Sequence, residues 1–158
     1  MRVKGILDED FVNYKLPSMF ISTSTCSFKC DRENGESCCQ NSSLAQAQAF
    51  DVEDENIISR YLHNPITKAI VFGGLEPFDQ FDELTHFISV LRAGGCRDAV
   101  VIYTGYNKQE ISQKVWVLSA FPNIIIKFGR YIPDSQPRLD GVLGVMLASK
   151  NQYAEKIS

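Results

Sequence analysis

Ala69-Ile70-Val71-Phe72-Gly73-Gly74-Leu75-Glu76-Pro77 is the run from which the architecture is read. Its first four residues are apolar on both faces of an extended chain. A strand covered on both sides needs that pattern, and parallel sheets bury their strands in this way. Two glycines then end the strand, and Pro77 suits the start of a helix. Upstream, Ile57, Ile58, Tyr61 and Leu62 share one helical face. A helix is expected over 55–63, with Asp54 as its cap and Asn64-Pro65 as its stop. Downstream, Phe81, Leu84, Phe87, Ile88 and Leu91 form the stripe of a helix over 79–92, which Gly94-Gly95 ends. The alternation continues with a strand at Ala99–Tyr103, a helix at about 108–119, a strand at 123–128 and a last strand at Leu143–Leu147. Met19-Phe20-Ile21-Ser22 reads as a buried strand ahead of all these. Strand and helix in alternation predict an α/β fold with a mostly parallel sheet.

Parallel strands send their carboxyl ends to one edge of the sheet, and ligands bind there. Three loops are expected at that edge. They are the segment after Met19–Ser22, the Gly73-Gly74-Leu75-Glu76-Pro77 turn, and Thr104-Gly105-Tyr106-Asn107. The first of them, residues 23–45, has no apolar periodicity and is expected to be one long loop. Loops of that length inside a compact domain are usually functional.

That loop is also where the cysteines gather. The chain has five, and Cys26, Cys30, Cys38 and Cys39 lie within one short stretch. The spacing of Cys26 and Cys30 lets both sulfurs reach one metal centre from a tight turn. Paired disulfides are disfavoured by the odd count and by a reducing compartment. Zinc and an iron–sulfur cluster both remain open on the spacing alone.

Composition bounds the rest. At 158 residues one domain, 1–158, is expected, with a cluster loop at 23–45. The net charge of -3 comes with no basic tract, which argues against nucleic acid as a partner. No apolar run approaches the roughly 20 residues of a membrane span. Met1-Arg2-Val3-Lys4 leads into acidic Asp8-Glu9-Asp10 and does not read as a signal peptide, so a cytoplasmic chain is expected.

Taken together, the blocks resemble the radical S-adenosylmethionine (SAM) superfamily, and within it the anaerobic ribonucleotide reductase activating proteins. Four segments carry the resemblance: Cys39-Gln40-Asn41, Tyr103-Thr104-Gly105-Tyr106, Lys127-Phe128-Gly129-Arg130-Tyr131-Ile132 and Leu147-Ala148-Ser149-Lys150-Asn151-Gln152. It implies a partial (β/α) barrel. It implies a [4Fe–4S] cluster on Cys26, Cys30 and Cys39, with SAM chelating the remaining iron through its amino and carboxylate groups. Cys39 is preferred to Cys38 because Gln40-Asn41 follow it; Cys38 is the alternative. Gly73 and Gly74 would allow close approach of SAM, Glu76 would accept from its ammonium, and Thr104 and Tyr106 would contact its ribose or adenine. No catalytic residue beyond the cluster ligands is implied. Lys127 and Arg130 would face the cofactor, a partner or solvent.

Two features depart from the superfamily pattern. Eight residues separate Cys30 from Cys39 where two are usual, a lengthening that costs on the order of 1.2 kcal/mol in loop closure. The added Asp31–Glu36 segment is polar with a turn glycine and is expected to loop into water. Leu75 is inserted into a Gly-Gly-Glu-Pro motif, where it either turns Glu76 away or is absorbed as a bulge.

The activity implied is reductive cleavage of SAM and formation of a glycyl radical on a large partner, an anaerobic ribonucleotide reductase. Three ligands leave two of five cysteines, too few for a second cluster. The electron would therefore come from an external flavodoxin or ferredoxin-like donor. Two alternatives stay open: a small radical SAM enzyme acting on a peptide or metabolite, and a non-catalytic iron–sulfur or zinc module. Cys96 reads as a loop or buried thiol. His63 and His86 read as helix residues remote from the cysteines.

Overall fold

The computed structural model describes residues 1–35 and 37–158. Its strands are β1 (Arg2–Asp10), β2 (Ser18–Thr23), β3 (Phe50–Asp51), β4 (Ala69–Gly74), β5 (Ala99–Tyr103), β6 (Ile124–Phe128), β7 (Arg138–Asp140), β8 (Val145–Leu147) and β9 (Tyr153–Lys156). Among the described residues, seven of them form one sheet in the order β3-β1-β2-β4-β5-β6-β9, and β7 pairs with β8 in a separate ribbon. The central strands β2, β4, β5 and β6 are parallel, while β1, β3 and β9 join the flanks antiparallel. The sheet does not close on itself, in keeping with a partial barrel.

The register follows from the apolar runs. Ile70, Phe72, Val100, Ile102, Ile124 and Ile126 point to one face. Three helices pack there: α3 (Asp54–Leu62), α4 (Phe81–Ala93) and α5 (Ser112–Leu118). The ring of Phe72 meets that of Phe87 edge-on, with centroids 5.2 Å apart. Val71, Val101 and Ile125 point to the opposite face. Tyr14, Leu143 and Leu147 cover them, and Ala154 of β9 joins this smaller core from within the sheet. Among the described residues, no helix is long and apolar enough to cross a membrane.

Several elements differ from the sequence reading. Residues 23–45 are not a plain loop, since they contain α1 (Lys29–Asn34) and α2 (Ser42–Gln46). Neither helix buries a residue, so neither leaves an apolar stripe in the sequence. Residues 31–34 of the polar segment belong to α1, and Glu36 lies outside the described residues. Asp54 is not a cap but the first residue of α3. It is buried, accepting from the Met1 ammonium at 2.8 Å and pairing with His86. The helix expected at 79–92 begins as a 3-10 turn over Pro77–Gln80, and that at 108–119 begins as one over Lys108–Ile111. The last expected strand is shortened to β8 and pairs with β7, outside the main sheet. β9 is an edge strand, and β1 is bordered by β3 only at Arg2 and Val3, so both leave part of their length to water and carry mixed polar sequence.

Candidate functional site

The parallel strands end level with one another. Thr23 pairs with Gly74, Phe72 with Ile102, and Tyr103 with Lys127. Their following loops therefore meet at one edge, around a cavity of about 420 Å³. Cys26, Cys30 and Cys39 all line it, as do Gly73, Gly74, Glu76, Thr104 and Lys127. Cys38 and Tyr106 are not in its wall.

The cysteine loop is held in place by side chains of the next loop. Gln80 accepts from the Ser24 amide and hydroxyl, both at 2.9 Å, and Asp79 accepts from the Ser27 amide at 2.6 Å. Phe28 takes a left-handed conformation, φ 51°, where the chain turns into α1. That turn brings Cys30 back against β5, and Gly105 makes room for it. A Cβ at Gly105 would lie 3.2 Å from the Cys30 sulfur, tighter than ordinary contact. Cys38 is held elsewhere: Asn34 donates to its sulfur at 3.0 Å, and its own amide donates to Asp31 at 3.0 Å.

The thiols are free and half-buried. Burial pushes Cys26 up to about 11, against the opposing Phe28 amide, which donates to its sulfur at 3.3 Å. Burial also raises Cys30, with the Arg130 guanidinium opposing it. A metal must displace protons from such thiols as it binds. Among the described residues, no group of three His, Cys, Asp or Glu side chains is arranged to hold a single metal ion. A cubane puts its thiolates on separate irons and so takes sulfurs that stand farther apart. Three soft donors on one cavity wall fit a [4Fe–4S] cluster.

The glycine turn absorbs the inserted Leu75. Gly74 adopts φ 77°, a left-handed conformation that glycine takes without penalty. A Cβ there would come within 2.8 Å of Leu44 in α2. Leu75 is thereby buried, and the Glu76 amide donates to the Thr25 carbonyl at 2.9 Å. The Glu76 carboxylate accepts from Thr104 Oγ1 at 2.7 Å, from the Gly105 amide at 2.9 Å and from the Phe78 amide at 3.1 Å. Burial nevertheless pushes its carboxyl up to about 7. Glu76 thus ties the β4, β5 and cysteine loops together while still lining the cavity.

Of the residues read as site candidates, the fold brings Cys26, Cys30, Cys39, Gly73, Gly74, Glu76 and Thr104 to one cavity. Tyr106 stands beside it, with its hydroxyl donating to Asp79 at 2.6 Å and its ring under Lys29 and Arg130. Sequence reasoning gave no role to Gly105, Asp79 or Gln80. Gly105 does fall in a quoted segment, and a glycine after a strand signals close approach. Asp79 and Gln80 carry no sequence signal, because their partners in the cysteine loop are more than fifty positions away.

A family model described as "4Fe-4S single cluster domain" matches residues 17–145. The chain belongs to that family and is an iron–sulfur protein. Comparison with curated proteins and with solved structures gave no match.

Proposed function

We propose that this single-cluster protein is a radical SAM activase that generates a glycyl radical on a large partner enzyme, an anaerobic ribonucleotide reductase. The observation that carries the reading is the shared cavity. Three cysteines, a glycine turn and a buried carboxylate converge at the carboxyl edge of four parallel strands. Cys26, Cys30 and Cys39 would hold the cluster and leave one iron to SAM. The cluster would supply one electron to the SAM sulfonium, breaking the C5′–S bond to give methionine and a 5′-deoxyadenosyl radical that takes a hydrogen atom from the partner glycine. An external flavodoxin or ferredoxin-like protein would return the electron.

The chain's own residues position and shield. Gly73 and Thr104 wall the cavity, and Phe20 and Tyr103 supply apolar surface that keeps water from it. Glu76 keeps the loops in register and has lone-pair capacity left on Oε2, which accepts one bond. A cavity of about 420 Å³ is near the lower end of small-molecule sites. It suits one nucleoside-sized ligand beside a cluster, with the second substrate entering from outside. That favours a macromolecular substrate over a free metabolite.

The test is anaerobic reconstitution with iron and sulfide, then reduction with dithionite and SAM. Brown protein, a spin-half paramagnetic signal altered by SAM, and little 5′-deoxyadenosine without a partner are expected. Adding the cognate reductase should produce a doublet glycyl signal and oxygen-dependent cleavage of that partner at one glycine. Rapid turnover of a small molecule with no glycyl signal would support the metabolite enzyme instead. Colourless protein that binds zinc would support the non-catalytic module.

A further inference from the structure

All three residues of β8, Val145, Met146 and Leu147, line the cavity. Successive residues of a strand point to opposite faces, so a strand that turned a face to the cavity would contribute only alternate residues. Here Leu147 is buried in the smaller core, Val145 packs against that core, and Met146 is 61% exposed on the other side. What β8 turns to the cavity is therefore its edge. Its other edge pairs with β7, none of whose residues lines the cavity. Among the described residues no strand meets the cavity-side edge. Its backbone N–H and C=O groups there form no ladder. The surroundings are apolar. Val12, 74% exposed, lines the cavity with Met146. The loop that carries Val12 is tied to the ribbon, since the Lys15 amide donates to the Leu143 carbonyl at 2.8 Å. The charged residues of the wall, Glu76 and Lys127, are both buried, so the mouth carries no exposed charge.

We propose that the segment of the partner enzyme bearing the target glycine docks as an extended third strand on the cavity-side edge of β8; this rests on the reading above. An open strand edge recognises extended backbone, with main-chain bonds supplying the affinity. That mode holds a glycine segment, which offers little side chain to grip. Glycine also lets the docked backbone approach the cavity closely. Val12 and Met146 flank the docked strand and select uncharged neighbours of the glycine, because a charge covered there would lose its water without gaining a partner. A free metabolite would leave the edge unpaired.

The test is amide hydrogen exchange on reconstituted protein, alone and with the cognate reductase. The amides within Val145–Leu147 that exchange fast in the free protein should slow at least about tenfold in the complex. A synthetic peptide with the sequence of the reductase's glycine segment separates strand pairing from burial. N-methylation at every second residue should weaken its competition with the reductase at least about tenfold, and methylation at the residues between should not, since a strand turns alternate N–H groups to its neighbour. Met146→Asp should bind the reductase at least about tenfold more weakly, with iron content and thermal midpoint as in wild type. Unchanged exchange in a complex that yields the glycyl radical overturns the docked strand and leaves the activase reading intact. An unmodified peptide that does not compete, or methylated peptides that compete equally, mark burial alone and overturn it too. Undiminished affinity of Met146→Asp overturns the role of the apolar rim. Protection of the same amides without the reductase, with dimers in sedimentation, gives the edge to a second copy and overturns the proposal. Wild type that cleaves SAM but neither binds the reductase nor yields a glycyl radical overturns both readings.

Discussion

Cys38 and Cys39 are neighbours in the chain, yet only Cys39 lines the cavity. The difference comes from local bonding, since Asn34 and Asp31 hold Cys38 from the side of α1. Cys39 is left facing Cys26 and Cys30. Cys26→Ala, Cys30→Ala and Cys39→Ala should each lose the cluster, measured as iron and sulfide per chain and as loss of the brown chromophore. Cys38→Ala and Cys96→Ala should keep most of it. Iron lost from Cys38→Ala but retained by Cys39→Ala would move the third ligand by one residue. Glu76 makes a related point. Its side chain reaches the cavity, but three internal donors hold it, so it braces the site whatever else it binds.

At the scale of elements, α1 is the piece that needs explaining. It has six residues, none of them buried, and helices this short are not stable alone. Charges hold it instead. Lys29 of α1 pairs with Glu110, and Arg130 grips the same carboxylate through two bonds of 2.8 Å. These contacts, Arg130 first, hold the Glu110 carboxyl down at about 2 from an ordinary 4.5. The folded state therefore favours the ionised form. Its contribution is complete above about pH 4.5 and fades as the pH falls toward 2. Glu110 is partly exposed, so solvent screening limits that contribution to about 1 kcal/mol. Glu110→Gln should lower stability by about that amount at pH 7. Urea unfolding followed down to about pH 3 should show wild type and variant converging. A gap that stays constant with pH would mean that packing, not charge, fastens α1.

For the whole molecule, the helix-covered face of the sheet holds the larger of the two cores. Phe72 is fully buried between β4 and α4, against Phe87. Phe72→Ala should cost about 3–5 kcal/mol, read from denaturant unfolding, because the tightly packed neighbours collapse only partly into the space. The site stands at the carboxyl edge of that same sheet, so the loss should also reduce iron retention at moderate temperature. A cost below about 1 kcal/mol would show that this face relaxes far more than its packing implies.

The alternation of apolar runs and helical stripes was legible in the chain because each is a local pattern of a few residues. It gave the parallel centre β2-β4-β5-β6 and the edge where the loops collect. The cysteine spacing, the glycine pair and the Thr104-Gly105 turn, which meet at the one cavity, were legible for the same reason. Other features were not legible. β9 closes one edge and β1 is bordered on its outer side only by the two-residue β3, so water reaches both and their sequences need not be apolar. The bracing of Ser27 by Asp79, the room Gly105 makes for Cys30, and the burial of Lys127 each join residues distant in sequence. Such contacts exist only once the strands are in register, and no short window of sequence carries them.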